Sequence, residues 1–181
     1  MRTSKLIERS GVLPVVLAEV KNHLGIYHTE KDDYLDILID AATNIAEKFT
    51  GQIFRGATTF EQSVDSFGSV ELDYSPTLEI VSVKYSDSSN TEQTLSTDLY
   101  QLLDHSVPQF VKFDTGLPSL YNRDDAVRIT YKAGYSNPYD VSADVKSAIL
   151  LIVQNLYDNP GDSIRQMPTT SEYILRNHKV K

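Results

Sequence analysis

One helix predicted near the C-terminus constrains this chain more than any other stretch. In Ser142–Asn159, SADVKSAILLIVQNLYDN, apolar residues recur at the i, i+3, i+4 spacing of one helix face. Further apolar residues widen that face almost to a full circle, and Pro160-Gly161 ends the helix. A helix this apolar is stable only when other elements pack around it. We therefore expect it to be the core of the fold.

Composition narrows the class of protein. The chain has 181 residues and no cysteine, which excludes disulfides, thiolate metal sites and thiol nucleophiles. The formal net charge of -8 argues against a protein that binds nucleic acid over a wide surface, although it does not argue against one that lets DNA slide past without binding it. No apolar run approaches the roughly 18 residues that a membrane span needs, so we expect no membrane partner.

Two shorter helices are predicted to precede the core helix. Val16–Leu24 carries apolar residues on one face, and a second periodic stretch begins at Asp32 or Asp33 and is ended by Thr50-Gly51. Charged residues of the second helix, Glu47 among them, are expected on its polar side. Because only a short link separates the two helices, residues 14–51 are predicted to form a helical hairpin.

The helical period disappears between residues 53 and 135. Alternating and β-branched segments replace it, separated by turn residues. The predicted strands are Ala57–Val64, Ser69–Leu72, Ile80–Ser86, Tyr100–Leu103, Phe110–Phe113 and Val127–Ala133.

The order of elements predicts an α+β fold in a single domain over residues 1–181. The N-terminal hairpin is expected to pack on the buried C-terminal helix at 142–159, with a block of short, mostly antiparallel strands inserted at 53–135. Residues 1–13 have mixed charge and little pattern, and we interpret them as an arm. The tail, residues 160–181, is polar and locally basic.

No stretch carries a recognisable catalytic motif. The chain lacks a glycine-rich phosphate loop and a nucleophile elbow, and its four histidines do not have metal-ligand spacing. We therefore predict no catalytic residues, no cofactor and no metal site.

Some residues are candidates for contact with other proteins. Tyr135 and Tyr139, near the Ala-Gly-Tyr turn, are the best interface candidates among the many tyrosines of the strand block. The tail has a short helix predicted at Ser171–Asn177. The tail as a whole is either a disordered end or a docking segment that orders on contact with a partner. Its candidate contact residues are Arg165, Tyr173, Ile174, Leu175, Arg176 and Lys179.

Two long segments of the chain, residues 13–52 and residues 127–159, together resemble one family, that of tailed-phage head–tail connector (adaptor) proteins. The first segment is similar to the opening helical hairpin of that family, and the second segment is similar to its second hallmark. That hallmark is a strand ending in Ala133-Gly134-Tyr135, a short loop, and a buried helix ending in Tyr157. The hairpin residues that carry the likeness are Leu17, Glu19, Val20, Lys21, Leu24, Asp32, Asp33, Thr50 and Gly51.

The resemblance implies a structural role rather than a catalytic one. Proteins of this family form a ring, expected here to be a dodecamer, that joins the capsid portal protein to a stopper or tail-completion protein. The ring leaves a channel through which DNA passes without specific binding. The implied location is the virion neck, and the host cytoplasm during assembly. The C-terminal segment of relatives docks on the portal, which would give Tyr173–Arg176 and the nearby basic residues that purpose.

Two other classes stay open on the residues alone. A small hydrolase could assemble an Asp and His site from distant loops. Alternatively, a β module carried on helices could bind a small ligand, a peptide or a sugar.

Overall fold

The computed structural model describes residues 2–161 and 167–180. They form two compact units, each drawn from separate parts of the chain. The β unit contains residues 2–10 and 57–136, and the helical unit contains residues 11–56, 137–161 and 167–180. Helices and antiparallel sheets are both present, so the predicted α+β class is confirmed. The prediction of a single domain over residues 1–181 stays a prediction.

The helical unit contains the four α-helices of the described residues. They are α1 Leu17–Leu24, α2 Asp32–Thr50, α3 Ala143–Asp158 and α4 Thr169–Arg176. Gly25 and Gly51 follow α1 and α2 with φ of 67° and 75°, the left-handed conformation that glycine adopts without a steric penalty. The bounds of α1 to α3 lie within one or two residues of those predicted from hydrophobic periodicity.

Helix α3 is the centre of the helical unit and contacts α1, α2 and α4. Its buried residues are Val145, Ala148, Ile149, Ile152 and Val153. They are five of the six residues whose helical spacing predicts the apolar face in the sequence, and the sixth, Leu156, is half-buried. The helical spacing that identified α3 in the sequence therefore also identifies its buried face.

The β unit contains eight strands among the described residues. They are β1 Thr3–Glu8, β2 Thr58–Val64, β3 Val70–Glu71, β4 Thr77–Ser86, β5 Glu92–Thr94, β6 Tyr100–Leu103, β7 Phe110–Phe113 and β8 Val127–Ala133. One sheet has the strand order β1-β2-β8-β4-β5 and the other β3-β7-β6, and all strand pairs are antiparallel. Strands β2 and β8 alternate buried and partly exposed residues, as expected for the middle of a sheet with one buried face.

The N-terminal segment differs from its predicted role as an arm. Residues Thr3–Glu8 form β1, which pairs antiparallel with β2 from Thr3 opposite Ser63 to Glu8 opposite Thr59. The strand period was hidden in the sequence because five of its six residues are exposed. The strand block is therefore not a simple insertion at 53–135, since it takes an edge strand from the N-terminus.

Candidate interaction surfaces

The described residues hold no group of three or more His, Cys, Asp and Glu side chains that could bind a metal ion. No helix within that part of the chain has the length and apolar character needed to cross a membrane.

Helix α4 has one side fixed to the helical unit and one side exposed. The Ser171 hydroxyl donates a hydrogen bond to the Ala148 carbonyl of α3 at 3.1 Å, and both Ser171 and Leu175 are completely buried. Tyr173 is 73% exposed and Arg176 is exposed as well, because these residues lie off the Ser171–Leu175 side of the helix. The helix thus presents an aromatic ring and a guanidinium outward from a packed base.

This arrangement corrects the expectation for Leu175. The sequence predicts that Leu175, like Tyr173 and Ile174, contacts a partner. The Leu175 side chain is instead part of the core, while Ile174 is half-buried and Tyr173 is accessible. The i, i+4 spacing of Ser171 and Leu175 was the signal in the sequence that could have separated the buried side from the exposed one.

The residues after α4 are bound to the end of α2. The Val180 amide donates to the Thr50 carbonyl at 2.8 Å, and the Gln52 side-chain amide donates to the His178 carbonyl at 2.5 Å. Lys179 is exposed, with its Nζ atom 5.7 Å from the centre of the Phe49 ring. A disordered end and a segment that orders only on contact with a partner are both wrong for residues 167–180, because these contacts order them within the single chain.

A hydrogen bond joins the same segment to the beginning of α3. Asp144 Oδ2 lies 2.7 Å from His178 Nε2, and Asp144 Oδ1 accepts a hydrogen bond from the Val145 amide at 2.9 Å. Hydrogen bonds from the side chains of Ser142 and then His178 hold the pKa of Asp144 at about 2, below its ordinary value. The carboxylate therefore stays ionised, and able to hold His178, down to strongly acidic pH.

The charges of the tail residues are only partly available to a partner. Arg176 Nη2 lies 2.6 Å from Glu172 Oε1, an exposed pair one turn apart on α4. Such a pair is weak and can exchange partners. Arg165, the other basic residue predicted to contact a partner, lies outside the described residues.

The two tyrosines predicted near the Ala-Gly-Tyr turn belong to different units. Tyr135 is a half-buried residue of the β unit. Tyr139 belongs to the helical unit and is 50% exposed, and Lys146 Nζ lies 5.8 Å from its ring centre. Their role as partner contacts stays a prediction.

Sequence reasoning missed an exposed apolar face on α2. Ile37 is highly exposed, and Tyr34, one turn before it, is exposed with its ring 6.4 Å from that of Tyr157. Lys31 Nζ donates to the Tyr157 hydroxyl at 2.7 Å. Ile37 escaped notice because it continues an apolar stretch of sequence, although it lies off the buried stripe of the helix.

Comparison with known proteins identifies the family. A family profile for phage gp6-like head-tail connector proteins matches residues 14–112, which is more than half of the chain. No curated protein sequence gives a significant match.

Solved structures of gene transfer agent (GTA) particles contain chains with a similar fold. One, described as "Neck of empty GTA particle computed with C6 symmetry", aligns with a TM-score of 0.80 at 16% identity, over 98% of this chain and 96% of that one. Another, "Virion of native gene transfer agent (GTA) particle", has a TM-score of 0.78 at 16% identity, over 97% and 95%. A third, "Neck of native GTA particle computed with C12 symmetry", has a TM-score of 0.74 at 18% identity, over 98% and 96%.

These structural matches show that the fold extends over almost the whole length of both chains, although the sequences have diverged. The family profile independently covers α1, α2, the strands β2 to β6 and all of β7 but its last residue. The chain therefore belongs to the family of phage gp6-like head-tail connector proteins.

Proposed function

We propose that this head-tail connector forms a ring in the neck of a phage-like particle, between the portal protein and a stopper or tail-completion protein. The observation that carries the proposal is the fold match over 98% of this chain to chains from particle necks. Those neck structures are described with C6 and C12 symmetry, which favours a ring of twelve copies. A subunit of this kind assembles in the host cytoplasm and acts in the finished virion.

The ring would work through its interfaces and not through catalysis. Each subunit needs two different surfaces, because a closed ring is built from head-to-tail contacts. The net charge of -8 favours an acidic channel that repels phosphate, so that DNA passes without specific binding. This is a proposal about the assembled ring, and it requires no cofactor and no membrane.

The test of this function is removal of the chain from the particle-producing cell. We expect filled heads that carry portal protein but no joined tails, because the adaptor between them is missing. Resupplying the wild-type chain should restore joined particles. Normal tail attachment without the chain would contradict a connector role for it.

The outer side of α4 is the surface that we assign to the portal. Tyr173 and Arg176 are exposed there, beside Lys179 and the half-buried Ile174. Tyrosine and arginine are the residue types that contribute most to binding at protein interfaces. The buried contacts of Ser171 and Leu175 hold the helix in place, so its outer side is presented without an ordering cost on binding.

Substitution at the outer side tests this docking surface. We expect Tyr173→Ala combined with Arg176→Ala to weaken binding to purified portal at least tenfold in a pull-down titration. Tyr27→Ala is the matched control, since Tyr27 is an even more exposed tyrosine of the helical unit. Unchanged thermal unfolding of both variants would show that the fold is intact. Portal binding of the double variant at wild-type affinity would contradict the assignment.

A further inference from the structure

The five-stranded sheet has an open edge at each end. On one side β1 is the last strand, and β2 is its neighbour. On the opposite side β5 pairs with β4 only along Lys84–Ser86. Within the described part of the chain, residues 78–82 of β4 therefore have a strand partner, β8, on one side only. The sheet thus has two different edges, which a head-to-tail contact between copies requires.

Both open edges contain β-bulges, and an aliphatic residue occupies each bulge. The pairing of β1 with β2 shifts between Leu6 and Glu8, which leaves Ile7 as the extra residue. The pairing of β4 with β8 shifts at two places, which leaves Leu78 and Val81 as extra residues. These three side chains are exposed: 51% for Ile7, 37% for Leu78 and 49% for Val81.

A bulge changes what an edge strand offers to another molecule. It interrupts the regular row of free backbone groups, so a second chain cannot extend the sheet along the whole strand. It also redirects the side chain of the extra residue. Edges of this kind are suited to side-chain packing against a defined partner, and they resist unlimited strand addition.

Each edge carries charged side chains. Lys5, on β1, is exposed and lies opposite Glu61 in the strand register, and Glu8, next to Ile7, is exposed on the same strand. Glu79, between Leu78 and Val81, has a side chain that is 57% exposed while Lys132 Nζ binds its Oε1 atom at 2.7 Å. Lys5 and Glu79 are one pair of opposite charges that a contact between the two edges can bring together.

We propose that the two edges meet between neighbouring copies of this chain. Ile7 of one copy packs against Leu78 and Val81 of the next, with Lys5 facing Glu79. The inference rests on the proposed ring and identifies one of its subunit contacts. Because the contact joins two different edges, each copy can accept one neighbour on either side, and the series closes when the ring is complete.

Cross-linking tests this contact, since the chain has no cysteine of its own. The variant that carries both Ile7→Cys and Val81→Cys is treated with a short bis-maleimide. The treatment is done on the purified protein in solution and on the protein bound to portal-bearing capsids. We expect a ladder of products whose longest member has the number of copies found in the ring by native mass spectrometry. Ile7→Cys alone should give no ladder. The matched pair Ile7→Cys with Val107→Cys should give none either, because Val107 is an exposed valine outside both edges.

The outcomes separate this inference from the proposed function. Rings that are visible by electron microscopy but give no Ile7–Val81 ladder would overturn the edge contact and leave the ring standing. If neither the purified protein nor portal-bearing capsids show rings, both the proposed ring and the edge contact are wrong. A ladder from the Val107 control as strong as that from Val81 would also overturn the contact.

Charge reversal provides a second, independent measurement. We expect Lys5→Glu or Glu79→Lys alone to raise the concentration for half-assembly about tenfold. The double variant should assemble at close to the wild-type concentration, because it restores the opposite charges. Failure of the double variant to recover, while its circular dichroism is unchanged, would overturn the pairing of these two residues.

Discussion

At the residue scale, Arg55 is a charged residue that is buried, with only 2% of its surface exposed. Its Nε atom lies 3.1 Å from Glu47 Oε2, and its Nη1 atom lies 3.0 Å from Asp40 Oδ1. Glu47 Oε1 also accepts hydrogen bonds from the backbone amides of Phe54 and Arg55, at 3.0 and 3.1 Å. These hydrogen bonds and ion pairs hold the segment after α2 against that helix. Glu47, expected on the polar side of the helix, is in fact buried.

Arg55 should therefore matter for stability. We expect Arg55→Met to lower the free energy of unfolding by about 3 to 5 kcal/mol, because it leaves the buried Glu47 carboxylate without its counter-charge. Urea unfolding followed by circular dichroism measures the change. The control is Arg123→Met, which breaks an exposed pair with Asp125 and should hardly shift the midpoint. Equal effects of the two substitutions would contradict this account.

Asp144 should give the attachment of the C-terminal segment a defined acid dependence. Its pKa is lowered to about 2 in the folded chain, so it binds fewer protons there than in the unfolded chain. Its contribution is fully present above its ordinary pKa near 4. That contribution is lost as the pH falls toward 2.

Hydrogen exchange of the Val180 amide, which donates to the Thr50 carbonyl, can follow this attachment. In wild type, protection should fall between about pH 4 and 2. In Asp144→Asn it should be weaker at neutral pH and should vary less across that interval. An identical acid dependence in the two proteins would show that Asp144 does not hold the segment.

At the element scale, α4 combines a structural side with an accessible one. Contacts with α3 and α2 make it part of the helical unit. Deletion of residues 171–181 should therefore affect the fold. Deletion would remove Leu175 from the core and break the Ser171 bond to α3. Loss of portal binding after such a deletion would not separate docking from unfolding, which is why point substitutions are the sharper test.

A pair of substitutions distinguishes the two sides of α4. We expect Leu175→Ala to destabilise the chain by about 2 to 5 kcal/mol, since it opens a cavity in the core. Tyr173→Ala should leave stability nearly unchanged, because its side chain is largely in water. Thermal and urea unfolding measure both. A larger loss from Tyr173→Ala than from Leu175→Ala would mean that the two sides have been assigned the wrong way round.

The sequence predicted the elements that have a strong period and missed those that do not. Helices α1 to α3 have apolar stripes, and β2 and β8 alternate regularly, so their bounds could be predicted closely. Strand β5 is fully exposed and polar, and β1 is an exposed edge, so neither carries an alternating pattern. Their positions are determined by pairing with distant strands, which one sequence does not display.

Features that depend on contacts between distant residues could not be predicted from the sequence either. Burial of Glu47 depends on Arg55, which lies beyond the end of α2 and outside its helical period. The open edges of the sheet depend on strand order and bulges, which only the three-dimensional pairing defines. Tyr173 and Arg176 could be chosen from the sequence because an aromatic and a cation stood out within a polar tail.

At the scale of the whole molecule, neither compact unit is a continuous segment of the chain. The chain leaves one unit for the other after residues 10, 56 and 136. The prediction of a single domain implies that the two units unfold in one cooperative transition.

Native-state hydrogen exchange tests that implication. The slowest amides of α3 and of β8 should report the same free energy of opening, and both should respond equally to added denaturant. The substitution Leu175→Ala should lower both values together. Two different free energies, with only the value for α3 lowered by the substitution, would show two independently unfolding domains.

The ring in the particle neck is the central claim, and a cryo-electron-microscopy reconstruction of that neck without imposed symmetry tests it most directly. We predict twelve copies of this chain in a closed ring, with the portal on one side and the stopper or tail-completion protein on the other. A neck in which portal and tail proteins touch directly, with this chain absent or bound as isolated copies, would contradict the claim.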